Sequence, residues 1–152
     1  MAESLGYCRK AKGLLLFAYC ILPSHVHLIF KDKNKNPGNL LKEIKTFTSK
    51  QLQTQIQENP QESRKEWLLW LMHRAGKKNT NVKNSQFWQQ HNKPIELWSN
   101  KVIDQKIEYV HNNPVNAGFV IKPEHWKYSS ATNYAGLEGA IEIDKIDVRL
   151  YN

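Results

Sequence analysis

The sequence predicts a fold that combines α-helices with an antiparallel pair of β-strands. An apolar, β-prone run from Leu14 to Phe30 is interrupted at Pro23-Ser24, which is the pattern of two strands joined by a turn. Later segments repeat their apolar residues at helical spacing instead. The chain has 152 residues, which is enough for a core and predicts one domain over residues 1–152.

The elements of the first half follow from local signals. Residues 2–12 predict a helix that Gly13 closes, since glycine is favoured just after a helix end. A strand is predicted over 14–22, and its hairpin partner over 25–31. Apolar residues at helical spacing then predict a helix from Asn39 to about Gln57.

The second half is predicted to contain two further helices. One runs over about 61–74, and the other over about 100–112, where Pro114 is expected to end it because proline disfavours helical geometry in the residue before it. Residues 87–97 predict a short strand or hairpin segment, weakened by a proline. The chain from residue 115 onward is predicted to be mostly irregular.

Composition limits the classes of partner and of location. The formal net charge is +8, which favours a polyanion, with nucleic acid ahead of a membrane surface or an acidic protein. No apolar run is long enough to span a bilayer, so no membrane association is expected. The two cysteines, Cys8 and Cys20, form no disulfide framework, and a reducing cytoplasm is the expected location.

His25 and His27 are candidate metal ligands. Alternate residues of a strand point to the same face, so these two imidazoles are expected to lie side by side with Val26 on the opposite face. Two histidines on a rigid strand can form half of a metal site. Spacing alone leaves open that they are two ordinary histidines near a strand end.

Tyr109 and Asn113 form a second candidate pair on the helix over 100–112. Ile103, Ile107 and Val110 mark the stripe that faces the core, and Tyr109 lies nearly opposite Ile107. Asn113 follows one turn later on the same face as Tyr109. On this helix alone, an ordinary surface tyrosine followed by an asparagine near a helix end is the favoured interpretation, and a nucleophile beside an amide ligand is the alternative.

The two pairs together suggest a catalytic site. Two imidazoles and one amide oxygen would leave coordination positions open, and these ligands are compatible with Mg²⁺ or Mn²⁺. Such an ion can polarise a phosphate that a neighbouring tyrosine attacks. A phenol is mostly protonated at neutral pH, so the nucleophile would need this help.

Three blocks of the chain resemble a known family. Tyr19–Ile29 is similar to the histidine–hydrophobic–histidine motif of the HUH single-strand endonucleases, and more narrowly to the IS200/IS605-type single-tyrosine transposases. Tyr109–Val120 resembles the tyrosine block of the REP-associated tyrosine transposases, and Trp126–Ser130 resembles the sequence that follows it. Residues 59–97 also resemble the REP-associated branch, and the whole likeness spans roughly 5–136.

The resemblance implies a ferredoxin-like α+β fold, with an antiparallel sheet and helices on one face. It implies Mg²⁺ or Mn²⁺ held by His25 and His27, with Asn113 as the polar ligand and Tyr109 as the nucleophile. The implied reaction cleaves single-stranded DNA beside a hairpin, leaves a 5′-phosphotyrosine and a free 3′-OH, and rejoins DNA by the reverse step. Bacterial cytoplasm, in association with the nucleoid, is the implied location.

One departure from the family concerns the N-terminal strand. Family members begin with a strand before the first helix, whereas here Met1 lies almost at that helix, so the first strand is expected to be missing. Its loss would expose an edge beside the strand that carries the histidines. A second copy of the chain could fill that gap, which makes a homodimer one expectation.

Several basic residues are candidates for DNA contact, since single strands bind basic tracks with aromatic faces. Trp67 and Trp70 are expected in the core, with base stacking as the alternative. The candidate contacts are Lys42, Lys45, Lys50, Arg74, Lys77, Lys78, His111 and Asn112.

Two other classes of function stay open. A nucleic-acid-binding protein derived from a transposase, truncated or catalytically inactive, would keep the fold without the chemistry. A small structural zinc protein would use Cys8, Cys20, His25 and His27, although the cysteine spacing fits no zinc-finger pattern.

Overall fold

A computed structural model describes residues 1–79, 85–90 and 92–146. Residues 1–40, together with the chain from residue 95 onward, form one compact unit, and residues 41–94 form a second. The predicted single domain over 1–152 stays a prediction. The elements are α1 (Ala2–Ala11), β1 (Leu14–Ile21), β2 (Val26–Asp32), α2 (Pro37–Glu58), α3 (Lys65–Lys77), α4 (Asn100–Asn116), a 3-10 turn (Pro123–His125) and α5 (Ala131–Tyr134).

The first unit has an α+β architecture, as predicted. Strands β1 and β2 form an antiparallel hairpin in which Cys20 lies opposite His27, with a register shift between Leu16 and Ala18. Helices α1 and α4 both pack against β1. Gly13 ends the first helix region at φ +80°, in agreement with its predicted role.

The two edges of the hairpin differ. The outer edge of β1 is covered by the later chain: Ile21 N donates to Tyr128 O at 2.9 Å, and Ser130 N donates to Tyr19 O at 2.9 Å. The sheet formed by the described residues has only two strands, so none of them pairs with the other edge of β2. Helix α1 already begins at Ala2, ahead of both strands.

The core of this unit is built by the predicted stripe of α4. Ile103, Ile107 and Val110 are buried and pack against Ala18, Cys20 and Leu22 of the hairpin. Apolar area removed from water stabilises this contact by roughly 25 cal/mol per Å². Ser99 begins α4, since its side chain accepts a hydrogen bond from Val102 N. The stripe therefore fixes which face of α4 points away from the core.

Helix α4 does not end at Pro114, and that prediction is wrong. The helix continues to Asn116 with Pro114 inside it and fully buried. It ends instead where Gly118 adopts φ +74°, with Gly118 N donating to Val115 O and Phe119 N donating to Pro114 O, both at 2.9 Å. This paired arrangement satisfies the last carbonyls and requires a residue that tolerates positive φ. Proline removes one hydrogen bond, and burial of its ring offsets that loss.

Other expectations on chain path are corrected or refined. In the described part of 87–97 there is no strand, and Lys93 there adopts φ +47°, which is incompatible with an extended strand. The chain after 115 is more ordered than predicted, with α5 and contacts to the sheet. Two of its aromatic side chains reach back to β1: Trp126 Nε1 donates to Ile21 O at 2.9 Å, and the Tyr134 hydroxyl donates to Phe17 O at 3.2 Å.

The second unit contains most of α2, all of α3 and the chain up to residue 94. Within it, Trp88 Nε1 donates to the buried Thr48 Oγ1 at 2.9 Å, and Gln86 N donates to Met72 O at 2.8 Å. The core packing expected for Trp67 and Trp70 is wrong, because both side chains are about half exposed. No helix within the described residues is both long and apolar enough to cross a membrane.

Candidate active site

The hairpin of the first unit brings the two histidines together. His27 lies in β2, and His25 lies just before it, where its carbonyl accepts a hydrogen bond from Leu22 N at 2.9 Å. The two ring centroids are 4.9 Å apart at an interplanar angle of 84°. The prediction that the imidazoles are neighbours is confirmed, although His25 belongs to the turn and is exposed whereas His27 is half-buried.

Helix α4 brings Tyr109 to the same place. The ring centroids of His27 and Tyr109 are 5.5 Å apart, and the rings meet edge to face at 80°. Tyr109 is 53% exposed while its neighbour Val110 is buried, so the predicted outward face of this helix is confirmed. Because α4 packs on both strands, α4 and β2 hold the Tyr109 phenol and the His27 imidazole next to each other.

Asn113 completes the cluster one helical turn after Tyr109. Its Nδ2 donates to Tyr109 O at 2.7 Å, which fixes the side chain along the helix. This bond uses one of the two N–H groups of the amide, whereas the amide oxygen can act only as an acceptor or as a metal ligand. The predicted spacing of one helical turn therefore places an amide oxygen, which can act as a metal ligand, beside Tyr109 and His27.

His27 carries a buried nitrogen without a partner. Among the described residues, no group reaches His27 Nε2 with hydrogen-bonding geometry, and this atom is removed from solvent. Burial lowers the pKa of His27, the neighbouring His25 lowers it further, and the nearby Asn113 side chain opposes the shift without reversing it. A neutral imidazole with an unpaired nitrogen is the form that binds a metal ion.

Ser24 is a site residue that the sequence interpretation treated only as part of a turn. Its hydroxyl lies 2.9 Å from His25 Nδ1. A hydrogen bond on one ring nitrogen fixes the orientation of an imidazole and leaves the other nitrogen for a ligand. The only local signal was adjacency, since Ser24 directly precedes His25.

Lys106 is a second residue that sequence reasoning missed. Its Nζ lies 5.8 Å from the centroid of the Tyr109 ring. The signal was available, because residues three apart on a helix are neighbours. A cation here would favour negative charge on the phenol oxygen or on a phosphate bound next to it.

The zinc alternative is not supported. The described residues contain no group of three or more His, Cys, Asp or Glu side chains that could hold a metal ion. Cys20 is buried, and its burial raises the pKa of the thiol to about 11, with Ser129 opposing the shift through a hydrogen bond.

His111 lies in the interior rather than on a DNA-facing surface. Its Nε2 is 2.8 Å from Ser130 Oγ, and the imidazole is buried. Ser130 Oγ also accepts a hydrogen bond from Tyr19 N at 2.9 Å. Burial lowers the pKa of His111 to about 4, so the ring is neutral and links α4 to β1.

The basic candidates of the second unit have different surroundings. Lys45 Nζ donates to Gln89 O at 2.6 Å and to Asn92 Oδ1 at 2.8 Å, and burial lowers its pKa, so it serves within its own unit. The remaining candidates are exposed: Lys42, Lys50, Arg74, Lys77 and Lys78. Those five side chains are accessible to a polyanion.

A comparison with curated proteins finds one distant relative. A protein of Haemophilus influenzae, named "Putative REP-associated tyrosine transposase", is 28% identical to this chain over 120 residues. The match covers 74% of this chain and 56% of the relative, so the chain spans about half the length of that protein. No family model matches the chain, and no solved structure matches it.

Proposed function

We propose that this chain is a metal-dependent tyrosine transposase that cleaves and rejoins single-stranded or hairpin-associated DNA. The observation that carries the proposal is the contact between His27 and Tyr109, which puts a phenol beside an unpaired, buried imidazole nitrogen. The name of the distant relative independently suggests a transposase-like activity. Single-tyrosine chemistry of the HUH type is the finer part of the proposal.

In this proposal, His25, His27 and Asn113 hold Mg²⁺ or Mn²⁺. The fit rests on the unpaired His27 Nε2, the Ser24 contact that orients His25, and the hydrogen bond from Asn113 Nδ2 to Tyr109 O, which holds the Asn113 side chain in place. The amide oxygen suits these ions, and three protein ligands would leave coordination positions for phosphate oxygens and water. The bound ion would supply Lewis-acid polarisation of the scissile phosphate.

Tyr109 then acts as the nucleophile. Its phenol oxygen forms a bond to phosphorus, the bond from phosphorus to the 3′ oxygen breaks, and the phenol proton ends on the released 3′-OH. The product is a 5′-phosphotyrosine, which a different 3′-OH can attack to rejoin DNA and restore the phenol. Exposure of Tyr109 allows a strand to reach it, and Lys106 offsets negative charge as the phenol loses its proton.

The DNA partner is supported by charge. The net charge of +8 and the exposed Lys42, Arg74, Lys77 and Lys78 favour a polyanion, since phosphate contacts supply most sequence-independent affinity. Such a protein would act in the bacterial cytoplasm, in association with the nucleoid. Among the residues that the structure describes, none pairs with the outer edge of β2, and a second copy adding a strand there would give a homodimer.

The test is a denaturing gel of the purified chain with labelled hairpin DNA that carries a single-stranded flank. A covalent band that requires Mn²⁺ or Mg²⁺, disappears in Tyr109→Phe and is lost in His27→Ala would support the proposal. Tyr109→Phe should still bind DNA within about threefold on a native gel, because only one hydroxyl is removed. A mobility shift without any covalent band would instead favour a catalytically inactive DNA-binding protein.

A further inference from the structure

Helix α3 presents aromatic and basic side chains to solvent along one face. Residues 67, 70, 71, 74 and 77 recur at spacings of three and four, so they share one side of the helix within about 120°. All five side chains on this side are exposed. We call this surface the α3 stripe, and it consists of Trp67, Trp70, Leu71, Arg74 and Lys77.

The opposite side of α3 already supplies the apolar contacts of the helix. Leu68, Leu69, Met72 and Ala75 are half-buried, and Gly76 is buried. Helix α3 therefore has two sides with large apolar residues: one side packs against the protein, and the α3 stripe is exposed. Trp67 and Trp70 are 55% and 51% exposed, which is unusual for two large aromatic residues on consecutive turns.

The charges of the stripe are all of one sign. Arg74 and Lys77 are its only ionised residues, and Lys78 adds a third cation at the end of the helix. The guanidinium carbon of Arg74 lies 5.2 Å from the centroid of the Trp70 ring, so a cation and an aromatic ring form one surface. The only carboxylate of α3 is the exposed Glu66, which borders the stripe about 40° around the helix from Trp70 and is outnumbered by the three cations. A negatively charged partner with flat aromatic groups matches this chemistry.

We propose that the α3 stripe binds single-stranded DNA by stacking unpaired bases on Trp67 and Trp70 while Arg74 and Lys77 contact phosphates. The stripe extends about 15 Å along the helix, which is enough for about three or four nucleotides. Stacking on tryptophan does not depend on base identity, so this surface provides affinity without sequence preference. The inference rests on the proposed function only in its choice of DNA as the polyanion.

The test measures binding of a fluorescein-labelled oligo-dT of about 16 nucleotides to the full chain in a Tyr109→Phe background. Trp67→Ala and Trp70→Ala should each weaken binding about tenfold. Trp70→Phe should stay within about threefold, whereas Trp70→Leu should lose as much as Trp70→Ala, because leucine keeps apolar area but cannot stack. The Arg74→Gln variant should lower the slope of log affinity against log salt by about one.

Trp98→Ala is the matched control, since Trp98 is 73% exposed and lies outside the stripe. Its affinity should not change, and an equal loss in this variant would overturn the inference. Equal binding by Trp70→Phe and Trp70→Leu would overturn it as well. If Trp67→Ala lowers the mass of an oligomer and leaves DNA affinity unchanged, the DNA-binding inference is overturned. The α3 stripe would then be a contact between two copies of the chain.

The two proposals fail in different ways. If Tyr109 forms no covalent adduct but the tryptophan variants lose oligo-dT affinity, the transposase chemistry is refuted and the α3 stripe stands. If the adduct forms and both tryptophan variants bind oligo-dT like the parent, the α3 stripe alone is refuted.

Discussion

Ser130 joins α4 to the sheet, and its replacement by alanine gives a prediction of defined size. Ser130 Oγ accepts from Tyr19 N at 2.9 Å, and it lies 2.8 Å from His111 Nε2 and 3.2 Å from Tyr19 O. Ser130, Tyr19 and His111 are all buried. Alanine removes the hydroxyl and leaves two buried polar groups, the Tyr19 N–H and the His111 ring nitrogen, without a partner.

An unsatisfied buried polar group costs about 1–3 kcal/mol, so Ser130→Ala should lower the free energy of unfolding by about 2–6 kcal/mol. That is a large part of the total of about 5–15 kcal/mol for a typical domain. The backbone bond from Ser130 N to Tyr19 O survives, so the local chain path is kept. Urea unfolding followed by circular dichroism at pH 7.5 gives the change.

Two further variants sharpen this test. Ser24→Ala is the control, because Ser24 is an exposed serine of the same unit, and its effect should stay within about 0.5 kcal/mol. In the double variant His111→Leu, Ser130→Ala, the serine change should cost about 1–3 kcal/mol less than it does alone, since the ring nitrogen is already gone. A loss below about 1 kcal/mol in Ser130→Ala, or strict additivity with His111→Leu, would show that the Ser130 hydroxyl does not stabilise the Tyr19 N–H and the His111 ring.

Three other predictions follow from the same contacts. Burial holds the pKa of His111 at about 4 against 6.5 in the unfolded chain, so the unfolded chain takes up the proton first. The free energy of unfolding should then be constant above about pH 7 and fall by about 3 kcal/mol from pH 6.5 to 4. The lowered pKa of His27 should add to this loss. Urea midpoints that do not change between pH 7 and 5 would contradict the prediction. His27→Ala should weaken Mn²⁺ binding at least about tenfold in calorimetry. The free energy of unfolding should change by less than about 0.5 kcal/mol, since the ring nitrogen lost is unpaired, and unchanged Mn²⁺ affinity would exclude His27 as a ligand. Lys106→Met should slow adduct formation about two- to fivefold, because the cation near Tyr109 is lost. Lys101→Met is the control, since Lys101 is an exposed residue of the same helix, and its rate should not change. Equal rates in the two variants would exclude a role of Lys106 in the reaction.

The parts of the site that follow a simple period were predictable. Proximity in sequence brings His25 and His27 together, although His25 lies in the turn just before β2. The helical stripe of Ile103, Ile107 and Val110 fixes the outward face that carries Tyr109. Both rules depend only on backbone geometry, so they hold wherever the element forms. What they cannot give is the distance between hairpin and helix, because that depends on packing between segments about 80 residues apart in sequence.

The misplaced end of α4 shows two local rules in competition. Pro114 disfavours a helix, but its missing N–H costs one hydrogen bond, and its ring is buried in the unit. Gly118 is the stronger stop, since it tolerates the positive φ of the terminal turn. Gly118 lies only four residues after Pro114 in the sequence, so the glycine signal for the end of the helix is as local as the proline signal.

Burial of individual polar and aromatic residues was the least predictable property. His111 follows the tyrosine by two positions, and only the tertiary position of Ser130 explains why it is buried. Trp67 and Trp70 belong to a helix that is apolar on most sides, so periodicity cannot tell which apolar face is covered. Lys106 acts on Tyr109, which lies one helical turn away, and Ser24 acts on His25, which follows it directly. Neither residue stands out in the sequence until its partner is assigned to the site.

The most direct test of the account locates the covalent bond to DNA. The chain is incubated with hairpin DNA and Mn²⁺, digested with protease and nuclease, and analysed by tandem mass spectrometry. We expect a single modified peptide with a 5′-linked phosphodeoxynucleotide on Tyr109, absent without metal and absent in His27→Ala. A modification on another tyrosine, or DNA cleaved with no tyrosine adduct on any peptide, would contradict the assignment of Tyr109 as the nucleophile.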